Sequence, residues 1–242
     1  MTTKAIILKK QNTNEYDQLV SCYTRDFGKL TTIAKSILKP RSIQALHLDV
    51  FNLVEFELIN GKGMPIVTGA QLINSYIGLK NSFAKTAAAY FFIEAVDKMV
   101  FENDKDERLW DFLVSFLGGL NKLSTTPSDG VVKLLRQGQL ELLDVLGYLP
   151  EVSFCKVCNG SIGKESSGAF NYNLGGVICN QCFLSGYSGI LVGREELDLI
   201  QNKSTESINT RSFRRSVLDG MFEYISGSKF YSLELINMLK YQ

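Results

Sequence analysis

The stretch NLVEFELI, residues 52–59, alternates apolar and acidic side chains over most of its length. Val54, Phe56 and Leu58 fall on one side of an extended chain and two glutamates fall on the other, because successive side chains of a strand point to opposite faces. This alternation predicts a β-strand with one buried face and one wet face. The segments on either side show a similar pattern.

Four neighbouring segments, all before about residue 76, are equally short and rich in β-forming residues. They are KAIILKK (4–10), QLVSCYT (18–24), KLTTIAKSI (29–37) and PIVTGAQLI (65–73). Glycines in RDFGK (25–29) and INGKGM (59–64) suit the tight turns between strands. The five short strands predict a small closed or nearly closed barrel over residues 1–80, such as an OB-fold.

The pattern becomes helical after residue 80. Apolar side chains recur at helical spacing, and Asn81 or Ser82 can cap the first helix. Pro127 suits a first helical position, and Gly147 suits the residue just past a helix end. We therefore expect a multidomain α+β protein in which the barrel is followed by an all-α domain over residues 81–242.

The composition is that of a soluble globular protein. Hydrophobic residues make up 45% and charged residues 21% of the 242, which provides enough apolar side chain for a packed core. The N-terminal segment has no apolar run typical of a signal peptide, and no run of about 18 uncharged apolar residues occurs. We expect a cytoplasmic protein with no membrane partner, in a compartment that keeps cysteines reduced.

Four of the five cysteines lie in FCKVCNGSIGKESSGAFNYNLGGVICNQC, residues 154–182. Cys155, Cys158, Cys179 and Cys182 form two CxxC pairs, a spacing typical of a zinc site built from two knuckles. In each knuckle a tight turn aims both thiolates at one ion, and the second knuckle completes a tetrahedron. The pattern predicts a zinc element at about residues 152–190, inserted between helices. Redox-active cysteines and an iron–sulfur cluster are the alternatives.

The predicted zinc is structural. Four thiolates close the coordination shell, whereas a catalytic zinc keeps one position open for water.

No common catalytic motif occurs elsewhere in the sequence. The single histidine, His47, lies in an apolar run typical of a structural residue, and there is no Walker-type loop, HExxH or GxSxG motif. Cys22 suits a small apolar strand position, and GKG at 61–63 is more typical of a hairpin turn than of a phosphate site. We expect no enzymatic activity.

Positive charge is concentrated in the first part of the chain. The formal net charge is only +1, but residues 1–80 carry ten Lys or Arg against six Asp or Glu. The segment AKSILKPRSIQ, residues 34–44, contains Lys35, Lys39 and Arg41, and no acidic residue occurs between Asp26 and Asp49. This is a local basic loop on an otherwise balanced chain, and local positive charge is the electrostatic mark of a nucleic-acid contact.

The order of these features resembles a known family. NEYDQLVSCYTRDFGKLTTIAKSILKPRS followed by LHLDVFNLVEFELINGKG is similar to the N-terminal OB-fold of the bacterial RecO family of DNA repair and recombination mediators. LLRQGQLELLDVLGYLPEVSFCKVC resembles the helix that leads into that family's zinc element. The resemblance covers roughly residues 1–240.

The resemblance implies a function without bond chemistry. Proteins of this family bind single- and double-stranded DNA, anneal complementary strands, contact the acidic C-terminal tail of single-strand-binding protein, and work with RecR to load RecA onto coated strands. It also implies association with the nucleoid. We expect DNA contacts from the hairpin and loop after the second strand and from one face of a later helix: Arg25, Lys35, Lys39, Arg41, the stacking ring of Tyr23, Arg211, Arg214 and Arg215.

A second class of function stays open. The barrel could bind protein, with the zinc element only bracing the helices, in a scaffold that does not act on DNA directly. The loop from Lys35 to Arg41 has uncharged Ser36, Ile37 and Leu38 in its middle, so it is less basic than a strong DNA-binding loop. Oligonucleotide binding distinguishes the two classes.

Overall fold

A closed barrel with the strand order β1-β2-β3-β5-β4 occupies the first part of the chain. The strands are β1 (Thr2–Asn12), β2 (Gln18–Thr24), β3 (Gly28–Ala34), β4 (Leu53–Ile59) and β5 (Ile66–Asn74). Neighbouring strands are antiparallel except β3 and β5, which run parallel where Ile33 pairs with Ile66. The barrel is confirmed, and its form fits an OB-fold.

The barrel interior contains the side chains that the alternation predicted. Val54, Phe56 and Leu58 of β4 are buried together with Ile7 of β1 and Val20 of β2, while Glu57 is exposed. The edge of β5 beyond the short parallel pairing faces a 3-10 helix, Ile43–Ala45, and the turn that follows it. His47 Nδ1 lies 2.7 Å from the carbonyl oxygen of Ala70 there, which is a structural role for the only histidine.

The computed structural model describes residues 1–39, 42–124, 128–163, 168–202 and 216–238. The chain divides into two compact units, residues 1–124 and residues 125–242. Three helices belong to the first unit with the barrel: α1 (Ile77–Lys80), α2 (Phe83–Met99) and α3 (Glu107–Lys122). The sequence-predicted domain boundary at residue 80 stays a prediction.

Polar contacts attach these helices to the barrel. Tyr23 of β2 accepts a hydrogen bond at its hydroxyl from the backbone N–H of Asp106, 2.9 Å away, at the start of α3. Lys29 of β3 donates from Nζ to the carbonyl oxygen of Val100, 3.1 Å away, just past the end of α2. The carboxylate of Glu102 accepts hydrogen bonds from the backbone N–H and the hydroxyl of Thr31. The ends of both helices are therefore fastened to β2 and β3.

The second unit combines helices with a small sheet. Its elements are α4 (Ser128–Val145), β6 (Gly168–Asn171), β7 (Gly176–Cys179), α5 (Asn180–Leu184), β8 (Ile190–Val192), α6 (Arg194–Asn202), α7 (Val217–Ser226) and α8 (Tyr231–Met238). The strands form an antiparallel sheet in the order β7-β6-β8. Helices and an inserted cysteine element are confirmed, but this element lies among strands, which the sequence pattern did not predict.

A buried ion pair joins two helices of this unit. Arg136 of α4 binds both carboxylate oxygens of Asp219 of α7, at 2.5 and 3.2 Å, and Gln139 donates to the same carboxylate. The Oδ2 atom of Asp219 also accepts a hydrogen bond from the backbone N–H of Ser216, which completes a capping box at the start of α7. Among the described residues, no helix is both long enough and apolar enough to span a membrane.

Candidate metal centre and nucleic-acid interface

The four paired cysteines meet at one point. Their sulfur atoms, on Cys155, Cys158, Cys179 and Cys182, all lie within 4.8 Å of one another, and those of Cys158 and Cys179 are 3.8 Å apart. A tetrahedral ion with bonds of about 2.3 Å holds its ligand sulfurs about 3.8 Å apart. The four sulfurs are grouped closely enough to surround a single four-coordinate metal ion.

Backbone geometry prepares the first knuckle for this role. The chain turns back after Cys155 because Asn159 adopts a positive φ of 57°, and the N–H of Cys155 donates to the carbonyl oxygen of Gly160. The N–H groups of Val157 and Cys179 point at the sulfur of Cys155, at 3.4 and 3.3 Å. Burial alone would raise the pKa of the Cys155 thiol, but the N–H donors outweigh it and lower the pKa to about 6. The thiolate is the form that binds metal.

The four cysteines differ in their exposure. Cys155 is 1% exposed, whereas Cys158 stands at the surface. Cys22, the fifth cysteine, is buried in the barrel of the other unit, and burial raises the pKa of its thiol far above the usual range. Cys22 is therefore the small apolar strand residue that the sequence predicts. The candidate metal centre consists of the other four cysteines.

Three loops meet at one end of the barrel. The N–H of Leu38, after β3, donates to the carbonyl oxygen of Tyr16 in the loop between β1 and β2, at 3.0 Å. The N–H of Ile33 donates to the carbonyl oxygen of Pro65, so the hairpin between β4 and β5, with exposed Lys62, reaches the same end. We call this region, with Tyr16, Lys35, Lys39 and Lys62, the loop surface.

An aromatic ring and a cation lie together on the loop surface. The Nζ of Lys39 is 5.5 Å from the ring centroid of Tyr16, which is within the range of a cation–π contact. Tyr16 is about half exposed, and Lys35 and Lys39 are exposed. A basic surface with an accessible aromatic ring is the combination that binds single-stranded nucleic acid without sequence preference.

Asp17 holds two of these loops together. Its carboxylate accepts hydrogen bonds from the backbone N–H of Ser36, at 2.6 Å, and from the side-chain amide of Asn14, at 3.0 Å. The Ser36 bond, then the Asn14 bond, then the positive charges of Lys35 and Lys39 lower the pKa of this carboxyl. Asp17 therefore fixes the position of the lysines relative to Tyr16.

Two further predicted contacts, Arg25 and Tyr23, are not part of this surface. Arg25 lies in the hairpin at the far end of β2 and β3, separated from Lys35 by a strand length of roughly 20 Å. The prediction that Tyr23 stacks on a base is wrong, because its ring is 0% exposed and its hydroxyl is bound to Asp106. Four predicted contacts lie outside the described residues and stay predictions: Arg41, Arg211, Arg214 and Arg215.

Sequence reasoning missed Tyr16 and Asp17. The signal was present in TNEYDQ, residues 13–18, because an aromatic ring in the middle of a predicted turn has no strand to bury it. Asn14 three residues before Asp17 is also typical of a turn closed by side-chain hydrogen bonds to the backbone. Asn14 accepts the N–H groups of Tyr16 and Asp17 in this way.

The architecture defines a class of protein: an OB-type barrel with attached helices and a cysteine element suited to a metal ion. Comparison with known families specifies it further. The family model described as Recombination protein O N terminal matches residues 1–76, and the one described as Recombination protein O C terminal matches residues 80–225. The chain belongs to the RecO family of DNA repair proteins.

Individual relatives agree with this assignment. A protein named DNA repair protein RecO from Thermoanaerobacter sp. (strain X514) is 25% identical, with 99% of this chain and 98% of the relative covered. A protein of the same name from Dehalococcoides mccartyi (strain ATCC BAA-2266 / KCTC 15142 / 195) is 31% identical, with 74% of this chain and 69% of the relative covered. A third, from Syntrophomonas wolfei subsp. wolfei (strain DSM 2245B / Goettingen), is 28% identical over 83% of this chain.

Proposed function

We propose that this protein binds single- and double-stranded DNA through the loop surface and anneals complementary strands. The cation–π contact between Lys39 and Tyr16, with Lys35 beside it in sequence, is the observation that carries the proposal. Lysines neutralise the phosphate backbone, and the aromatic ring offers a face on which an unpaired base can stack. Annealing requires neutralisation of two backbones and no bond chemistry, so the protein acts without enzymatic turnover.

The proposed partners follow from family membership. RecR and the acidic C-terminal tail of single-strand-binding protein are the proteins with which this chain would cooperate, and loading of RecA onto coated strands would be the outcome. The work would take place in the cytoplasm at the nucleoid. Arg41, Arg211, Arg214 and Arg215 remain proposed contacts, either to DNA or to an acidic partner.

We further propose that the four paired cysteines hold a structural Zn²⁺. The supporting observation is the set of sulfur separations, which fits a tetrahedral ion with four thiolate ligands. When bound, the ion would fasten the loop of Cys155 and Cys158 to the end of β7 and to α5. Elemental analysis of protein purified without added metal tests the identity, and iron in place of zinc would contradict it.

The DNA-binding proposal is tested with a double variant, Lys35→Ala with Lys39→Ala. Affinity for a fluorescent single-stranded oligonucleotide is measured across a range of salt concentrations. Loss of two phosphate contacts should reduce the slope of log affinity against log salt by about 1.4, since each contact on a single strand contributes about 0.7. Arg25→Ala at the opposite end of the barrel is the matched control and should leave the slope unchanged.

Stacking and mediator function have their own readouts. Tyr16→Leu should weaken single-strand binding by about 1–3 kcal/mol, whereas Tyr16→Phe keeps the ring and should retain most of the affinity.

Annealing of strands coated with single-strand-binding protein, with and without its acidic tail, tests whether that protein is a partner. An unchanged salt slope in the double variant, with no acceleration of annealing, would leave a protein-binding scaffold as the function.

A further inference from the structure

Strands β2 and β3 form the face across which an OB-fold binds oligonucleotides, together with the loops between its first two and its last two strands. The outer side chains of these strands alternate with the core residues, and they are Leu19, Ser21, Tyr23, Lys29, Thr31 and Ile33. All six are buried or half-buried. The face that a strand crosses in other OB-folds is therefore covered in this protein.

Helix α2 and the segment that joins it to α3 cover this face by direct contacts. Ser21 Oγ donates to the carboxylate of Asp97, 3.1 Å away. Thr31 Oγ1 donates to the carboxylate of Glu102, 2.7 Å away. The other two polar side chains of the face are bound to the end of α2 and the start of α3. Residues 97–106 thus engage four of the six outer side chains.

The covering segment is packed firmly onto the barrel. Gly28, the first residue of β3, has a φ of +69°, and a Cβ atom there would collide with the carbonyl oxygen of Asp104. Lys29 is 9% exposed and forms an ion pair with Asp97 at 3.5 Å. Lifting the segment would leave a largely buried ammonium group without its partner, so displacement by a bound strand would be costly.

The covering segment also has the wrong charge for nucleic acid. Residues 97–107 contain five acidic side chains against two lysines. A phosphate backbone near this face would be repelled, because like charges a few ångströms apart interact unfavourably. Steric cover and charge both exclude DNA from the outer face of β2 and β3.

The loops of the OB site stay accessible. Residues 13–17, between β1 and β2, and residues 60–65, between β4 and β5, lie at the end of the barrel that carries the loop surface. Tyr16 is half exposed there, and Lys35 and Lys39 are exposed. The barrel therefore offers a strand the loop part of an OB site without the strand part.

We propose that the barrel presents a single strand instead of enclosing it. The strand is held by the barrel at the loop surface alone, and the pairing edges of its bases stay open to solvent. This inference rests on the proposed DNA binding by the loop surface and adds how the strand is held. In an OB-fold with an open strand face, successive bases stack on aromatic side chains along the groove. A contact with the ring of Tyr16 leaves the neighbouring bases free, so a complementary strand can pair with one that is still bound.

Two matched variants of the full-length protein test where the strand lies. Met64, 41% exposed on the hairpin between β4 and β5, and Phe101, 81% exposed beside Glu102 in the covering segment, are each changed to lysine. Binding is measured over a range of salt concentrations with an oligonucleotide longer than the ~16 nucleotides of the largest OB-fold sites. Met64→Lys should add a phosphate contact and increase the salt slope by about 0.7, whereas Phe101→Lys should leave the slope unchanged. An equal increase in both variants would overturn the proposal.

Chemical probing tests the presentation of the bases. Dimethyl sulfate methylates the Watson–Crick edges of adenine and cytosine only where these edges are unpaired and accessible. In a strand saturated with wild-type protein the bases should react within about twofold of their rate in the free strand, and the annealed duplex is the protected control. Protection of several successive bases in the bound strand would contradict the inference while leaving DNA binding intact. A wild-type protein that binds no oligonucleotide would instead contradict the proposed function, and the inference with it.

Discussion

Two tyrosines seven positions apart in the sequence have opposite environments. Tyr16 is half exposed beside Lys39, whereas Tyr23 is completely buried with its hydroxyl bound to the backbone of Asp106. The strand pattern places Tyr23 on the outside of the barrel sheet, because Cys22 points into the core. The outer face there is covered by the turn before α3, a tertiary contact that strand periodicity cannot reveal.

Tyr23→Phe tests the structural role of the hydroxyl. The change removes the oxygen that accepts the part-buried N–H of Asp106, and the net loss of one hydrogen bond costs about 0.5–1.5 kcal/mol. We expect a decrease of this size in the free energy of unfolding, measured by urea denaturation, with DNA affinity unaltered. A loss of affinity in a folded variant of unchanged stability would contradict the assignment.

In both candidate sites, the sequence predicted the residues that lie close together along the chain. Cys155, Cys158, Cys179 and Cys182 were found because two ligands on one turn leave a CxxC signature. Lys35 and Lys39 were found from charge, and their separation from Arg25 was missed because sequence proximity does not say which end of a hairpin a residue occupies. Tyr16 was missed because the prediction looked for an aromatic ring on a strand.

At the scale of elements, α4 and α7 depend on one buried ion pair. Arg136 and Asp219 are each more than nine-tenths buried, and Gln139 completes the set of hydrogen bonds to the carboxylate. Removing one partner leaves the other charge buried and uncompensated, which costs about 3–5 kcal/mol. This cost measures the penalty of the uncompensated charge and not the net stability that the pair contributes.

Asp219→Ala should lower the free energy of unfolding by about 3–5 kcal/mol. The double variant Arg136→Met with Asp219→Ala removes the uncompensated charge and should lose less than the sum of the two single changes. Both are measured by denaturant unfolding with a probe in the second unit. Additive losses would show that the two side chains act separately.

The small sheet is predicted to depend on the metal centre. β6 and β7 pair over only four residues, which is marginal without further support. Removing the metal with a chelator, or changing Cys179→Ser, should increase amide hydrogen exchange of β6 and β7 at least tenfold while the barrel strands stay protected. Cys22→Ala removes a thiol elsewhere and should retain one metal ion per chain. Unchanged exchange in metal-free protein would contradict a structural role.

Periodicity could predict the barrel but not this sheet. Strands β1 to β5 have seven to eleven residues each and are rich in β-forming side chains, whereas β8 has only three residues and β6 and β7 have four each. Sequences so short have no readable period, and the intervening glycines are equally typical of turns. Their strand structure follows from pairing with neighbours, which appears only when the cysteines are brought together.

At the scale of the whole molecule, the first compact unit extends beyond the barrel. Helix α2 and the segment that joins it to α3 contribute Asp97, Val100, Glu102 and Asp106 to hydrogen bonds with β2 and β3. Without these partners, Lys29 would lose the carbonyl oxygen that accepts from its largely buried ammonium group. Several such losses are comparable with the total stability of a small domain, about 5–15 kcal/mol.

A fragment of residues 1–124 should therefore unfold cooperatively, whereas a fragment of residues 1–80 should not. Thermal unfolding followed by circular dichroism compares the two directly. Oligonucleotide binding by the barrel is best measured on the longer fragment, with Lys35→Ala and Lys39→Ala as the binding control. Cooperative unfolding of the shorter fragment would show that the barrel is independent of its helices.

Asp17 influences how long a strand would remain bound. Its hydrogen-bond donors, Ser36 and Asn14, are uncharged, so the carboxylate keeps its full negative charge beside Lys35 and Lys39. The carboxylate already partly neutralises the two lysines. A phosphate that binds there must compete with it, so the free energy of binding is smaller than it would be for lysines without a neighbouring carboxylate. The proposed DNA-binding surface would therefore exchange its ligand quickly. Rapid release suits the proposed annealing role, in which each strand must leave the protein once it has found its complement.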